Sequence, residues 1–315
     1  MGMVKKTLNS GVLGAIVIAL GFIALGLGTS IHRTTDFIIF CIFVIGFDLL
    51  YGHMGRLSFG HMLFFGSGAY AAGLLARYGT PNPYLAILVG ICAGAMVGGI
   101  LAPVVVRATG ACFALVNLAF NQVGYFLALV AFAKFTAGED GLSLTFSVVP
   151  FLNLANPKVF FGFSLFCLVL TYYFMKRLTS SPYGILLRTI KENETRAQFM
   201  GYNTFTYKWI TFILSSSISA FAGALSTVNY SYVNPSFIDP NRNVEVIFAA
   251  LIGGTGSLYG AIIGGVSYML ISNYLARYIP RWEMFLGIAL LILVFKFREG
   301  IWGSVKGEWK SRIEG

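Results

Sequence analysis

The chain has 315 residues, of which 57% are hydrophobic and only 11% are charged, and its formal net charge is +10. Soluble domains carry roughly 25% charged residues, so this composition excludes a soluble protein and indicates one with several membrane spans. The apolar runs do not alternate with period two, which predicts an all-α polytopic membrane protein. The positive charge then reflects basic residues held on the cytoplasmic side, and nucleic-acid binding is not expected.

Seven apolar runs occupy the first three quarters of the chain. The first follows Lys5 and Lys6, covers 11–28 and is expected to be a retained span, since a signal-peptide cleavage site is not evident. The others cover 37–50, a glycine-rich stretch ending near Ala76, 84–106, 111–132, 159–175 and 209–230. Runs of this length are long enough to cross a bilayer as helices.

The segment 244–272 decides the topology, because glycines interrupt its apolar run before a last run at 283–295. Counted as one span it gives nine spans, and the Lys and Arg residues then divide almost evenly between the two sides. Counted as two short spans or a hairpin it gives about ten transmembrane or half-membrane helices, with most basic residues inside. The second count is preferred. It makes 1–315 a single transmembrane domain, with both termini and the segment 177–208 cytoplasmic and the loops 133–158 and 231–243 on the opposite, periplasmic side.

The segment 177–208 is the one polar helix-like stretch among the spans. Ser181 is a good helix N-cap, Pro182 suits the first turn and Gly201 is a good residue to end the helix. Three charged residues stand four apart and predict ion pairs along one helix, Arg188, Glu192 and Arg196. A helix with this polarity cannot span a bilayer, so it lies on the membrane surface or docks on another protein.

Motifs for enzymatic chemistry are absent from the sequence. The glycine spacing nearest to a nucleotide-binding loop, Gly55 to Gly60, is followed by His61 where lysine is required. HExxH and GxSxG motifs do not occur, and the three histidines form no ligand set. The chain is therefore predicted to be neither an enzyme nor a metal protein, and to bind no cofactor itself.

Two glycine clusters, at 52–60 and 253–260, resemble each other weakly. Each contains GxxG, then leucine two residues later, then an aromatic residue before the last glycine. Paired interruptions of this kind occur where backbone groups line a substrate path, and they occur equally where helices pack closely through small residues. The hypothesis for a path includes Gly52, Gly55, Ser58, Phe59, Gly60, Gly253, Gly254 and Gly256.

From about Phe47 onward the chain resembles the permease subunits of ABC importers for branched-chain amino acids, the LivM-like branch. The pieces that carry the resemblance include YGHMGRLSFGHMLFFGSGAYAAGLLA, TAGEDGL, SPYGILLRTIKENETRAQFMGYNTFTYK and LIGGTGSLYGAIIGG. The order and spacing of these pieces agree with the family. The resemblance implies a permease that moves branched-chain or related small neutral amino acids by alternating access.

The same resemblance gives the polar segment a role. In ABC importers a cytoplasmic permease segment with an E-A-A-x-x-x-G pattern docks on the ATPase subunit, and Glu194, Ala197 and Gly201 approximate that pattern. The glutamate is one position early, and Thr195 and Arg196 replace small residues. Arg188 and Glu192 belong to the same predicted docking helix.

The family also implies the partners. These are two ABC ATPase subunits that bind the ATP, a second homologous permease, a periplasmic substrate-binding protein and the lipid bilayer of the bacterial inner membrane. Glu139 and Asp140 lie in a predicted periplasmic loop, where they either contact the binding protein or only form a solvated turn. Two other functions stay open: a urea or short-amide ABC permease, and a stand-alone secondary carrier or channel.

Overall fold

The structure, a computed structural model, describes residues 14–26, 30–147 and 153–278, together with positions 284, 287 and 288. The helices in chain order are α1 (Gly14–Gly26), α2 (Ile31–Asp48), α3 (His61–Tyr78), α4 (Pro83–Val105), α5 (Gly110–Phe126), α6 (Ala133–Thr136), α7 (Pro157–Thr179), α8 (Pro182–Glu192), α9 (Glu194–Phe199), α10 (Thr204–Tyr230), α11 (Asn243–Gly253) and α12 (Leu258–Tyr278). Two strands, β1 (Leu142–Ser143) and β2 (Tyr232–Val233), form an antiparallel pair. Short π-helical stretches continue α2 to His53 and α5 to Ala131.

Six helices among the described residues are long and apolar enough to cross a membrane, namely α2, α4, α5, α7, α10 and α12. The predicted all-α multi-pass membrane protein is therefore confirmed, whereas the count of about ten spans is not. Helix α1 has only 13 residues in the described range, α11 has 11, and α3 is not among the six. Nearly all of the predicted run at 283–295 lies outside the described residues.

The predicted interruption of the segment 244–272 is present. Helix α11 ends at Gly253, and α12 begins at Leu258 after a turn in which Gly254 and Gly256 have φ values of +99° and +80°. Eleven residues at 1.5 Å per residue give α11 a length of about 16 Å, roughly half of a 30 Å hydrocarbon core. Helix α12, with 21 residues, is long enough to cross.

Helices α2 and α10 form the centre of the bundle. In the most apolar 18-residue stretch of each of these two helices, 83% and 67% of the residues are buried. The corresponding fraction in the other four spans is 28% to 39%, and their exposed apolar faces suit contact with lipid. Glycines at four-residue spacing bring α4 against α10: a Cβ added at Gly94 would lie 2.1 Å from the Cβ of Ala220, and one at Gly90 would lie 2.6 Å from that of Ala224. This is the small-residue packing common between membrane helices.

Backbone groups at the interrupted helices have buried polar partners, as hydrocarbon surroundings require. Asn243, the first residue of α11, accepts the Met62 N–H of α3 through Oδ1 at 2.9 Å. Its Nδ2 donates to Oδ1 of Asn121 at 2.6 Å, and the Asn121 amide donates to the Ile238 carbonyl at 2.7 Å. Three parts of the chain that are distant in sequence, around residues 62, 121 and 238–243, are joined in this way.

The two predicted periplasmic loops meet each other. Leu142 of β1 pairs with Val233 of β2, and this end of the bundle lies beyond the last residue of α10. The loops are more structured than expected: 133–158 contains α6 and β1 and overlaps the start of α7, and 231–243 contains β2 and reaches the start of α11. The polar segment precedes the first residue of α10, so a helix about 40 Å long separates it from the paired loops.

Candidate functional site

The polar segment consists of two helices, α8 and α9. Between them Asn193 has an extended backbone, with φ −158° and ψ 99°, and its Oδ1 accepts the Arg196 N–H at 2.9 Å. The expectation of a single helix from Ser181 to Gly201 is therefore wrong, because the Asn193 side chain caps a new helix. Gly201 ends the segment with φ +86°, as predicted.

Glu194 is the anchor of the polar segment. Its Oε2 accepts a hydrogen bond from Arg56 Nη2 at 2.7 Å, and its Oε1 accepts from Lys208 Nζ at 2.5 Å and from the Thr204 hydroxyl at 3.2 Å. Partial burial would raise the pKa of the Glu194 carboxyl, but the hydrogen bond and charge of Lys208 and the charge of Arg56 outweigh it, and the pKa is lowered. The carboxylate thus ties α9 both to the loop before α3 and to the base of α10.

The other predicted docking residues divide between the two sides of the segment. Ala197 is fully buried and packs with Leu186 and Ile190, which holds α9 against α8. Arg188, Glu192 and Gly201 are exposed. Within the described residues no ion pair joins Arg188, Glu192 and Arg196, since Glu192 is the last residue of α8 and Arg196 lies beyond the Asn193 break.

Three large side chains form an exposed apolar surface at the end of the segment. Phe199 is 86% exposed, Met200 55% and Tyr202 47%, and they surround Gly201. We call these three residues the docking patch. Sequence reasoning missed them, although a signal was available, because large apolar residues on both sides of a helix-ending glycine in a polar stretch have no core to enter.

The two glycine clusters meet inside the bundle. The Gly256 N–H donates to Oδ1 of Asp48 at 2.8 Å, and a Cβ added at Gly52 would lie 2.3 Å from the Gly256 nitrogen. We call this contact the glycine junction. Asp48 is fully buried, and its Oδ2 lies 3.5 Å from Nδ1 of His53. A buried carboxylate thus replaces the missing helical bonds where the two interruptions touch.

A lysine connects the polar segment to the glycine junction. Lys191 of α8 donates from Nζ to the Gly52 carbonyl at 2.7 Å. Its aliphatic stem covers Gly55, where an added Cβ would lie 2.6 Å from Cγ of Lys191 and where φ is +75°. Only glycine suits both the conformation and the space at position 55. Lys191 therefore joins α8 directly to the π-helical stretch that contains Gly52.

A cavity of about 540 Å³ lies between the glycine junction and α8. Its lining includes His53, Gly256, Tyr259, Lys176 and the predicted docking residue Arg188. Because both Gly256 of the junction and Arg188 of α8 line the cavity, it lies on the side of the junction nearer the polar segment.

The other predicted path residues lie in packed structure. The Ser58 hydroxyl accepts the Gly60 N–H at 3.2 Å, and a Cβ at Gly60 would lie 2.4 Å from the Asn117 carbonyl oxygen. Gly253 is packed equally closely against the Gly260 carbonyl, and Phe59 is half-buried. Gly256 therefore borders the cavity, whereas Gly60 and Gly253 lie where backbones approach closely.

Glu139 and Asp140 lie at the opposite end of the bundle, in a 3₁₀ turn from Gly138 to Asp140, and both are exposed. The Tyr232 hydroxyl donates to the Asp140 carbonyl at 2.6 Å, which fastens this turn to the second loop. The two loops therefore present one continuous surface.

Interrupted helices, a buried carboxylate at their contact and an anchored polar segment are features of a multi-pass transport protein, and no group that could hold a metal ion occurs in the part of the chain that the structure describes. The family model for the branched-chain amino acid transport system / permease component matches residues 30–295. Since the match covers most of the chain, the chain belongs to this family.

Curated relatives agree with this assignment. The chain is 25% identical over 293 residues to the high-affinity branched-chain amino acid transport system permease protein LivM of Salmonella typhimurium, covering 85% of this chain and 68% of the relative. LivM of Escherichia coli K12 is 24% identical, covering 82% and 66%. LivH of Salmonella typhimurium is 25% identical over 276 residues, covering 81% and 88%. No solved structure matches the chain.

These findings confirm the predicted resemblance and the predicted function as a permease component of a branched-chain amino acid transport system. They do not favour a urea permease or a stand-alone carrier. The relatives are transport permeases and not enzymes.

Proposed function

We propose that this chain is a membrane subunit of an ATP-driven importer and that it moves branched-chain or related small neutral amino acids by alternating access. Family membership supports the transport function, and the docking patch carries the proposal of an external motor. Phe199 projects from a polar helix pair that Glu194 fixes to the bundle. Exposed apolar clusters on polar surfaces mark contacts with other proteins.

The proposed assembly contains two ATPase subunits, a second homologous permease and a periplasmic substrate-binding protein, in the bacterial inner membrane. The segment 177–208 and both termini face the cytoplasm, where the ATPases bind the ATP. The loops 133–158 and 231–243 face the periplasm, and Glu139 and Asp140 contact the binding protein. The separation of these two regions by the length of α10 supports this orientation.

The proposed mechanism transmits movement from the docking patch to the glycine junction. Closure of the ATPases on ATP displaces α8 and α9 together, because Ala197 is buried between them. The movement reaches the bundle through two contacts, from Glu194 to Arg56 and from Lys191 to the Gly52 carbonyl. Opening of the junction would connect the cavity of about 540 Å³ to the opposite end of the bundle.

Affinity purification of the complex tests the docking patch. Replacing Phe199 and Met200 by serine should remove most of the co-purifying ATPase, because the apolar contact is lost while the Glu194 anchor is kept. Phe135→Ser is the matched control, since Phe135 is 55% exposed but lies in α6 at the opposite end of the bundle. A normal yield of ATPase with the double variant contradicts the docking role.

Reconstitution tests the transport function. Proteoliposomes with the whole assembly should accumulate labelled leucine only when the ATPases, ATP and binding protein are all present. Uptake by vesicles that contain this chain alone would refute the ATP-driven mechanism and favour a carrier or channel.

A further inference from the structure

A second cavity, of about 160 Å³, lies at the end of the bundle opposite the polar segment. It is bordered by α2, α3, α10, α11, α12 and the loop before α11. Three charged side chains line it, Asp36, Arg242 and Glu245, together with an apolar wall that includes Phe40, Phe65 and Phe237. Arg242 and Glu245 form an ion pair whose side chains are 39% and 29% exposed, so these charged groups are accessible to a ligand at this end of the bundle. The 540 Å³ cavity does not include these residues.

We propose that this cavity is a binding site for the transported amino acid, with Arg242 holding the α-carboxylate, Asp36 and Glu245 holding the ammonium group, and the aromatic wall holding a small branched side chain. The inference rests on the proposed transport function and adds a site within the permease itself.

The guanidinium of Arg242 is fixed but not saturated. It donates from Nε and Nη2 to the two carboxylate oxygens of Glu245, at 2.9 and 3.4 Å, and from Nη1 to the Ser236 carbonyl at 3.3 Å. These bonds use three of the roughly five N–H donors of an arginine, so two remain among the described contacts. Burial would lower the pKa of Arg242, but the charge of Glu245 raises it, so the side chain stays cationic. A planar cation with free donors is suited to bind a carboxylate.

The carboxyl group of Asp36 in α2 is held by a residue of α10. Asn229 donates from Nδ2 to Oδ1 of Asp36 at 2.8 Å, and Tyr230 lines the same cavity. Asp36 is positioned by the neutral Asn229 amide, and it belongs to no ion pair among the described residues. Together with Glu245 it gives the cavity two anionic groups and one cationic group, the arrangement that a zwitterion with its ammonium between the carboxylates would complement.

The remaining wall favours a compact apolar side chain. Phe65 and Phe237 meet edge to face with ring centroids 5.8 Å apart, and Tyr230 lies 6.3 Å from Phe237. A cavity of about 150 Å³ holds a molecule the size of benzene, so the space is adequate for a branched aliphatic group but too small for a peptide. The size of the cavity therefore suits the branched side chain of such an amino acid, and the charged residues suit its carboxylate and ammonium groups.

Direct binding tests the site. The purified complex, with its partner subunits but without the binding protein, is titrated with tritiated L-leucine. Isoleucine and valine should compete, whereas 4-methylpentanoate, which lacks the ammonium group, and isoamylamine, which lacks the carboxylate, should compete poorly. Arg242→Gln and Asp36→Asn should each weaken binding about tenfold or more, the factor expected for loss of one charge-assisted hydrogen bond.

Two further variants keep the result interpretable. Arg33→Gln removes an exposed arginine from the same end of α2 outside the cavity and should leave binding unchanged. Met269→Trp fills the cavity from α12 without changing a charge and should also weaken binding. It tests the site independently if the Arg242 variant does not fold. Equal binding by wild type and both Arg242→Gln and Met269→Trp would overturn the site, and so would the absence of leucine binding to wild type.

Import by the same preparations separates this inference from the proposed function. ATP-driven leucine import by a complex that binds no leucine in the cavity would overturn the site and leave the permease function intact. Leucine binding that depends on Arg242, in a complex that imports no leucine, would support the site and contradict the proposed transport.

Discussion

Replacement of Glu194 by glutamine removes the charge that joins the polar segment to the bundle, while the shape of the side chain is kept. The carboxylate accepts hydrogen bonds from Arg56, Lys208 and Thr204, and 22% of the side chain is exposed. Hydrogen bonds to charged groups contribute about 1.5–3 kcal/mol each, and partial exposure reduces this value through solvent screening. We therefore expect Glu194→Gln to lower the free energy of unfolding by about 2 kcal/mol at neutral pH.

Thermal denaturation in detergent measures this loss, and Glu192→Gln is the control because Glu192 is exposed two residues away. The pKa of Glu194 is lower in the folded state than the ordinary 4.5, so its stabilisation is present above pH 4.5 and is lost as the pH falls through the lower folded value. The difference between wild type and Glu194→Gln should shrink in that acidic range. Equal midpoints for the Glu194→Gln and Glu192→Gln variants at neutral pH would refute the anchor.

Two other substitutions test the packing and the transmission of movement. Gly94→Leu should prevent assembly of the folded bundle, because even the Cβ of the new side chain would lie 2.1 Å from the Cβ of Ala220. Gly99→Leu is the control and should be tolerated, since a Cβ at Gly99 has no neighbour closer than 3.7 Å. Gel filtration measures the assembly of both variants. Lys191→Met should keep the aliphatic cover but lose the hydrogen bond to Gly52, so ATPase association should persist while leucine import falls. Unchanged import would exclude this contact from the transmission.

The polar segment has one face held by the protein and one exposed face. Glu194 binds residues of the bundle and Ala197 packs against α8, so their substitution is expected to affect stability before it affects partner binding. Phe199 and Tyr202 face away and are expected to affect partner binding alone. We therefore propose that the E-A-A-x-x-x-G pattern describes how the segment is held, and that the residues around its final glycine form the surface offered to a partner.

Much of this architecture follows from the sequence because its causes are local. Long apolar runs and few charges specify membrane helices, Gly201 ends the polar segment, and the glycines at 253–256 interrupt a helix, since each effect depends on the residue and its immediate neighbours. The length of a span follows less directly: α2 begins at Ile31, six residues before the predicted start, because helix geometry can include polar residues at a membrane boundary.

Tertiary structure decided which distant residues meet. Asp48 joins two glycine clusters about 200 residues apart in the chain, and Arg56, Glu194 and Lys208 converge from three elements. Asp36 and Arg242 face one cavity although neither lies in a motif. No local pattern encodes these contacts, because they depend on how helices α2, α10 and α12 pack. The sequence by itself therefore determined the class, the membrane helices and the polar segment, and the packing of the bundle assembled the junction, the anchor and the cavity.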